Sequence, residues 1–279
     1  MSITSTATPR PHDVVGSQLV RRWEPLSDPV AEVVLIHGIA EHSGRYEKVG
    51  ASLAGDGLAV TAPDLVGFGL TGGRRGDVDD WVLYLDQVEQ FVGEALATGR
   101  PVVVMGQSMG GLICLEYVLS ERPPPHLVVL MAPALVGGQL WQHLLAPVMA
   151  RLAPTLRLPN VLNGEQLSRD PAVADAYFAD PLVYTRSSCR LGNELFEAMK
   201  RTRAAVERLD LPTLVLHGGL DSIVSPTATV ELGATARVER RLYPQLRHEV
   251  LNEPEGADLI SEISAWIRSG VGGLDGSAH

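Results

Sequence analysis

Residues 102–115, VVVMGQSMGGLICL, constrain this chain more than any other stretch. The apolar run Val102, Val103, Val104, Met105 stops at Gly106, and an apolar helical pattern begins just beyond Gly111. The segment therefore reads as strand, sharp turn and helix. At its apex, Gly106-Gln107-Ser108-Met109-Gly110 matches G-x-S-x-G, whose glycines let the backbone turn tightly enough to hold the central side chain out at the strand end. Ser108 is the candidate nucleophile.

A serine hydroxyl is a weak nucleophile near neutral pH and needs an adjacent base, itself held in the right tautomer by a carboxylate. On a strand-turn-helix scaffold the chain order is serine, acid, histidine. The last third of the chain supplies both partners in that order. Asp221 lies in a loop just past an apolar run at 212–216, and His248 lies in the loop after a run at 238–243. His37 and His217 also sit at strand ends before glycine, but neither has an acid ahead of it in the required order. His12, His126 and His143 have no companion residues and read as solvated, and Asp64 reads as a turn stabiliser. Two N–H donors for an oxyanion are expected from Met109, which follows the nucleophile, and from Ile39 in the loop after an early strand.

Apolar runs at 17–23, 30–36, 58–62, 102–105 and 127–131 alternate with helical patterns at 46–56, 79–96 and just beyond 111. This pattern predicts an α/β fold with a mostly parallel, doubly wound sheet and its active groups at the carboxyl ends of the strands. Between 134 and about 205 the strand signal disappears. Trp141, Leu144, Leu145, Val148, Met149 and Leu152 fall on one helical face, interrupted by Pro147, which predicts a kink or two shorter helices. A second helix is expected at 191–207. The resulting organisation is an N-terminal tail (1–15), a core (16–133), a helical cap (134–205), a second core part (206–269) with a helix at 258–269, and a C-terminal tail (270–279). The apolar stripe of the cap is open to two readings: packing on the core, or facing an acyl pocket or lipid surface.

Composition narrows the function. Hydrophobic residues at 45% exclude a disordered chain, and a net charge of −10 without a basic block argues against a nucleic-acid partner. Two cysteines, Cys114 and Cys189, imply neither a disulfide framework nor a metal site. No cofactor or metal is expected, and no obligate protein partner is evident. The start has no apolar signal region, and no eighteen apolar residues run together, so the expectation is a cytoplasmic protein, with peripheral membrane contact possible only through the cap.

Six segments, HGIAEHSGRY (37–46), GFGLTGGRRGDVDDW (67–81), GQSMGG (106–111), SRDP with ADPL (168–171 and 179–182), LHGGLDSIVSP (216–226) and RHEVLNEPE (247–255), together resemble the monoacylglycerol lipase family of α/β hydrolases. The resemblance implies an α/β-hydrolase fold and hydrolysis of a fatty-acyl ester of glycerol, with the acyl chain under a mobile cap. By matching position it implies a triad of Ser108, Asp221 and His248, oxyanion donors at Ile39 and Met109, and polar groups near the glycerol end at Glu41 and Arg45. One departure stands out: family members commonly carry histidine where this chain has Gln107. A short-chain carboxylesterase, a lysophospholipase and a non-catalytic ligand-binding receptor remain as alternatives. Activity is expected to fall below about pH 6.5, with Asp221 lowering that threshold.

Overall fold

The computed structural model describes residues 13–15, 18–160 and 162–275. Ten strands run in chain order: β1 (Asp13–Val15), β2 (Gln18–Trp23), β3 (Ala31–Ile36), β4 (Leu58–Pro63), β5 (Val102–Gln107), β6 (Leu127–Met131), β7 (Arg157–Pro159), β8 (Arg186–Ser188), β9 (Thr213–Gly218) and β10 (Val238–Tyr243). Nine α-helices accompany them among the described residues: α1 (Glu47–Gly55), α2 (Val82–Leu96), α3 (Met109–Val118), α4 (Leu140–Leu152), α5 (Gly164–Leu167), α6 (Pro171–Ala179), α7 (Cys189–Ala205), α8 (Val230–Gly233) and α9 (Gly256–Asp275).

Eight strands form one sheet in the order β1-β2-β4-β3-β5-β6-β9-β10, parallel from β4 to β10, with β1 and β2 antiparallel at one edge. The central strands are apolar on both faces because helices cover both. Val33 and Leu35 of β3, Val103 and Met105 of β5, and Val129 and Met131 of β6 pack with Leu53 of α1 and with Leu259 and Ile263 of α9. Their alternate neighbours Val34, Ile36, Val104, Val128 and Leu130 pack with α2 and α3 through Val88, Phe91, Leu112 and Leu115. The period of two thus builds two cores from one set of strands. The strand order reverses between β3 and β5, and the loops after these two strands open into the crevice where open α/β sheets bind ligands.

The segment between β6 and β9 lies over the carboxyl ends of the strands. It is not purely helical: β7 and β8 pair antiparallel, where a strand was not expected. Arg157-Leu158-Pro159 and Arg186-Ser187-Ser188 carry neither alternation nor β-branched residues, so nothing local announces the ribbon. Two further helices, α5 and α6, are capped by the side chains of Asn163 and Asp170. Pro147 does not divide this stretch into two helices, and α4 runs through it as one. No residue of α4 is buried, and Leu140, Trp141, Leu144, Leu145, Val148 and Leu152 are at least half exposed, which rules out packing of this stripe on the core. By contrast α7 packs on α3, with Leu191, Ala198 and Met199 in the same buried cluster as Leu112 and Leu115.

The ends also depart from expectation. Asp13–Val15 pairs with β2 rather than belonging to a tail, while residues 1–12, with His12, lie outside the described residues. At the other end α9 continues to Asp275 through Gly270, Gly272 and Gly273, with Val271 buried against the sheet core. Burial of one apolar face outweighs the poor helix propensity of three glycines. His126 accepts from the Val102 N–H, and His143 stacks on Phe196, so neither is merely solvated.

Candidate active site

Ser108 sits at the junction of β5 and α3 with φ +53° and ψ −116°, a conformation that costs a non-glycine residue about 1–3 kcal/mol. The turn is held by close packing on all sides. A Cβ on Gly106 would strike the carbonyl of Gly110, and one on Gly110 would overlap the carbonyl oxygen of Ile36 at the end of β3. Ala40 and Ala132, in the loops after β3 and β6, also have positive φ, so three of the backbone's strained non-glycine positions cluster at one rim.

Asp221 and His248 arrive at the same rim from β9 and β10. His248 Nδ1 lies 2.7 Å from Asp221 Oδ2, and the other carboxylate oxygen accepts the N–H groups of Ile223 and Val224. Burial pushes the Asp221 carboxyl up, but the bonds from His217 and His248 outweigh it and hold the group well below the usual carboxylate range. Burial pushes His248 down, but the Asp221 hydrogen bond and charge, with Glu249 and Glu41 nearby, raise it above the ordinary 6.5. The expected sign of the Asp221 effect is therefore corrected: a carboxylate at hydrogen-bond distance favours imidazolium and raises the threshold.

Ser108 and His248 line one chamber of about 30 Å³, together with Gly38, Ile39, Glu41, Gln107, Ile223 and Glu249 from the core and Leu162, Leu167 and Tyr177 from the inserted segment. Among the described residues the Ser108 hydroxyl makes no hydrogen bond to His248; the two meet across the chamber. Ile39 stands at the chamber wall, and Met109 opens α3, where its N–H has no intrahelical acceptor. The competing histidines are engaged elsewhere. His37 Nε2 accepts from the Leu65 N–H and its Nδ1 donates to the Gly38 carbonyl, a neutral tautomer consistent with a pKa lowered by burial. His217 Nε2 sits 3.0 Å from the Val224 carbonyl and 3.2 Å from Asp221 Oδ2, the oxygen that also meets His248, and its Nδ1 lies 3.2 Å from Thr229 Oγ1.

Residues 27–255 match the family model described as serine aminopeptidase, S33. The chain belongs to this family of α/β hydrolases. It is 35% identical over 264 residues to a monoacylglycerol lipase of Mycolicibacterium smegmatis, covering 88% of this chain and 91% of that one. It is 28% identical to the phospholipase YtpA of Bacillus subtilis over 85% of this chain and 95% of the relative. The crystal structure of the Paleococcus ferrophilus monoacylglycerol lipase superposes with a TM-score of 0.83 at 30% identity, over 91% of this chain and 99% of that one.

Within this S33 hydrolase, Glu41 and Arg45 belong to a buried charge network whose third member, Glu249, sequence reading missed. Glu41 Oε1 accepts from the Gly38 N–H at 2.6 Å and the Tyr46 hydroxyl at 2.8 Å, while Oε2 accepts from Arg45 Nη1 at 2.6 Å. Arg45 also grips Glu249 with both amino groups, at 2.6 and 2.7 Å, and its guanidinium lies 4.7 Å from the centre of the Tyr177 ring. Burial pushes Glu41 up, but Arg45, His37, the Gly38 N–H and Tyr46 hold it below its ordinary value. Glu41 thus lines the chamber, while Arg45 borders an outer cavity beside Asp170, Asp180 and Asn252. Arg45 and Glu249 are 204 residues apart, and only proximity to His248 in the sequence could have drawn attention to the latter. Gln107 donates to the His248 carbonyl at 3.0 Å, so it contacts the loop of the candidate base. No helix among the described residues is long and apolar enough to cross a membrane.

Proposed function

We propose that this hydrolase cleaves the acyl ester of monoacylglycerols to glycerol and a free fatty acid through an acyl-enzyme, with Ser108, His248 and Asp221 as its triad. The observation that carries the reading is that Ser108 and a carboxylate-bound His248 line one chamber. The Ser108 oxygen attacks the ester carbonyl while His248 takes its proton, and the N–H groups of Ile39 and Met109 receive the oxyanion. Collapse expels the glycerol oxygen, which leaves with the proton from His248. Water then adds to the acyl-serine, giving its proton to His248, and the fatty acid departs as Ser108 recovers its hydrogen. Asp221 remains ionised, orienting the imidazole through Nδ1.

The segment 134–205 acts as a cap. Leu162, Leu167 and Tyr177 of this segment wall the chamber beside Ser108 and move aside for substrate to enter. The exposed stripe of α4 meets the lipid aggregate that presents the substrate. Glu41 and Arg45 serve the alcohol end. There two carboxylates, Glu41 and Glu249, face a single guanidinium, a balance that suits a neutral glycerol and repels a phosphate, which weighs against the lysophospholipase alternative.

The deciding measurement is turnover of a monoacylglycerol series against a lysophospholipid and a simple ester with the same acyl chains. The monoacylglycerol should be preferred at each length, with kcat/KM rising by about 0.8 kcal/mol per methylene that the pocket buries. Equal rates on the lysophospholipid would overturn the substrate class.

A further inference from the structure

The loop that carries His248 is fastened to the cap along its length. The Glu249 N–H donates to the Leu167 carbonyl at 2.8 Å and the His248 N–H approaches the Gln166 carbonyl at 3.4 Å. Arg247 Nη1 donates to the Ser168 carbonyl at 3.0 Å, and Ser168 Oγ donates to the Asn252 carbonyl at 2.9 Å. At the centre lies Glu253, whose side chain is fully buried. Its two oxygens divide the work. Oε1 accepts the backbone N–H of Arg247, the residue before His248, at 2.6 Å. Oε2 accepts both the backbone N–H and Nε of the cap residue Arg169 at 3.0 Å, with Ser168 Oγ at 3.4 Å. The remaining amino group of Arg169 reaches Glu255.

A buried carboxylate is tolerated when a counter-charge and hydrogen bonds satisfy it, and removing one partner leaves a charge that must find water. When the cap lifts, Arg169 leaves Glu253, and the carboxylate that held the Arg247 N–H turns toward solvent. His248 is one peptide away; on its core side Asp221 still holds its Nδ1 and Gln107 Nε2 its carbonyl, but the Arg247–His248 peptide that sets where Nε2 points has lost its anchor. We propose that Glu253 is a positioning residue that couples closure of the cap to placement of the general base, so that the serine is activated only after the substrate has entered and the cap has returned. This inference rests on the serine-hydrolase reading above. It adds a carboxylate outside the triad to the machinery, and it makes the open state chemically idle.

The test uses p-nitrophenyl acetate, whose acyl group is too small to need the cap for binding, with kcat, KM and melting temperature measured on the full chain. Arg169→Ala removes the charged member of the cap half of the clasp from a partly exposed position, leaving the backbone N–H of residue 169 in place, so the core stays folded. It should lower kcat on the acetyl ester by about tenfold with KM within about twofold, the signature of a misplaced catalytic group. Arg169→Lys should recover part of that loss. Glu253→Gln keeps one oxygen for the Arg247 N–H but turns its amide donors toward Arg169, and should match Arg169→Ala. Wild-type kcat on the acetyl ester in Arg169→Ala overturns the coupling, as does an effect confined to KM on long-chain substrates. Ser108→Ala, measured alongside, separates the two failures: retained turnover there would fault the serine reading itself.

Discussion

The core and the cap are built on different physics. In the core, Val33 to Ile36 of β3, Val102 to Met105 of β5 and every residue of β6 are essentially inaccessible, and α3 is buried from Met109 to Leu115. In the cap, α4 buries nothing, and its Leu140 and Leu152 are each 77% exposed. Of its described helices only α7 joins the apolar core, through Leu191, Ala198 and Met199; directional bonds hold the parts between α4 and α7: His42 to Asp180 at 2.8 Å, Asp77 to Ser188 at 2.6 Å and to Arg190 at 2.8 Å, Arg75 to the Leu182 carbonyl at 2.8 Å, and the Glu253 clasp. Separating an apolar interface exposes surface at about 25 cal/mol per Å², whereas a polar contact can be exchanged for water at a net cost of about 0.5–1.5 kcal/mol. On the proposed reading the nucleophile is therefore set in the part that does not open, and the entrance in the part that can.

The most severe test of this contrast is chemical. Ser108→Ala should reduce kcat by about four to six orders of magnitude, more than 5 kcal/mol, with the melting temperature little changed. Substantial residual turnover would remove the rigid core as the seat of reaction. Next comes a pair of leucines. Leu130→Ala in β6 should cost about 2–5 kcal/mol in chemical denaturation, while Leu144→Ala on the exposed face of α4 should stay within about 0.5 kcal/mol. Equal costs would erase the distinction between the regions.

The pH dependence sharpens it further. His248 must be neutral to accept a proton, and its pKa is raised above 6.5 by Asp221, so kcat/KM should lose about tenfold per pH unit below a midpoint that lies above 6.5. A midpoint at or below 6.5 would mean that the Asp221–His248 bond does not hold in solution. The smallest effect belongs to the cap surface. Trp141→Ser should change turnover of a soluble short ester by less than about twofold and slow hydrolysis of aggregated monoacylglycerol severalfold. An equal effect on both would remove the lipid-facing role of α4.

Legibility follows the same division. The core strands could be read because two-sided burial demands unbroken apolar runs, and the nucleophile turn because glycines recur where no Cβ fits. Asp221 and His248 were placed by chain order. The cap was harder. β7 and β8 are paired by contacts that neither segment signals alone, and Pro147 sits within a helix that its solvent-facing position tolerates. The length of α9 was hidden by Gly270, Gly272 and Gly273. Glu249 and Glu253 were passed over because acidic residues in a loop look solvated, and their partners Arg45 and Arg169 lie 204 and 84 residues away. Sequence proximity of Asp221 and His248 does not reveal the sign of the His248 shift, which depends on the protonation state that the neighbouring charge rewards.

The left-handed backbone of Ser108 carries a consequence for anyone seeking to make the protein sturdier. Glycine would adopt that conformation without strain, at some cost in unfolded-state entropy, so selection for thermal resistance alone would favour, at this position, a residue that on the proposed triad abolishes turnover. Endurance and turnover pull against each other at residue 108, and any screen that rewards survival in heat must also count product.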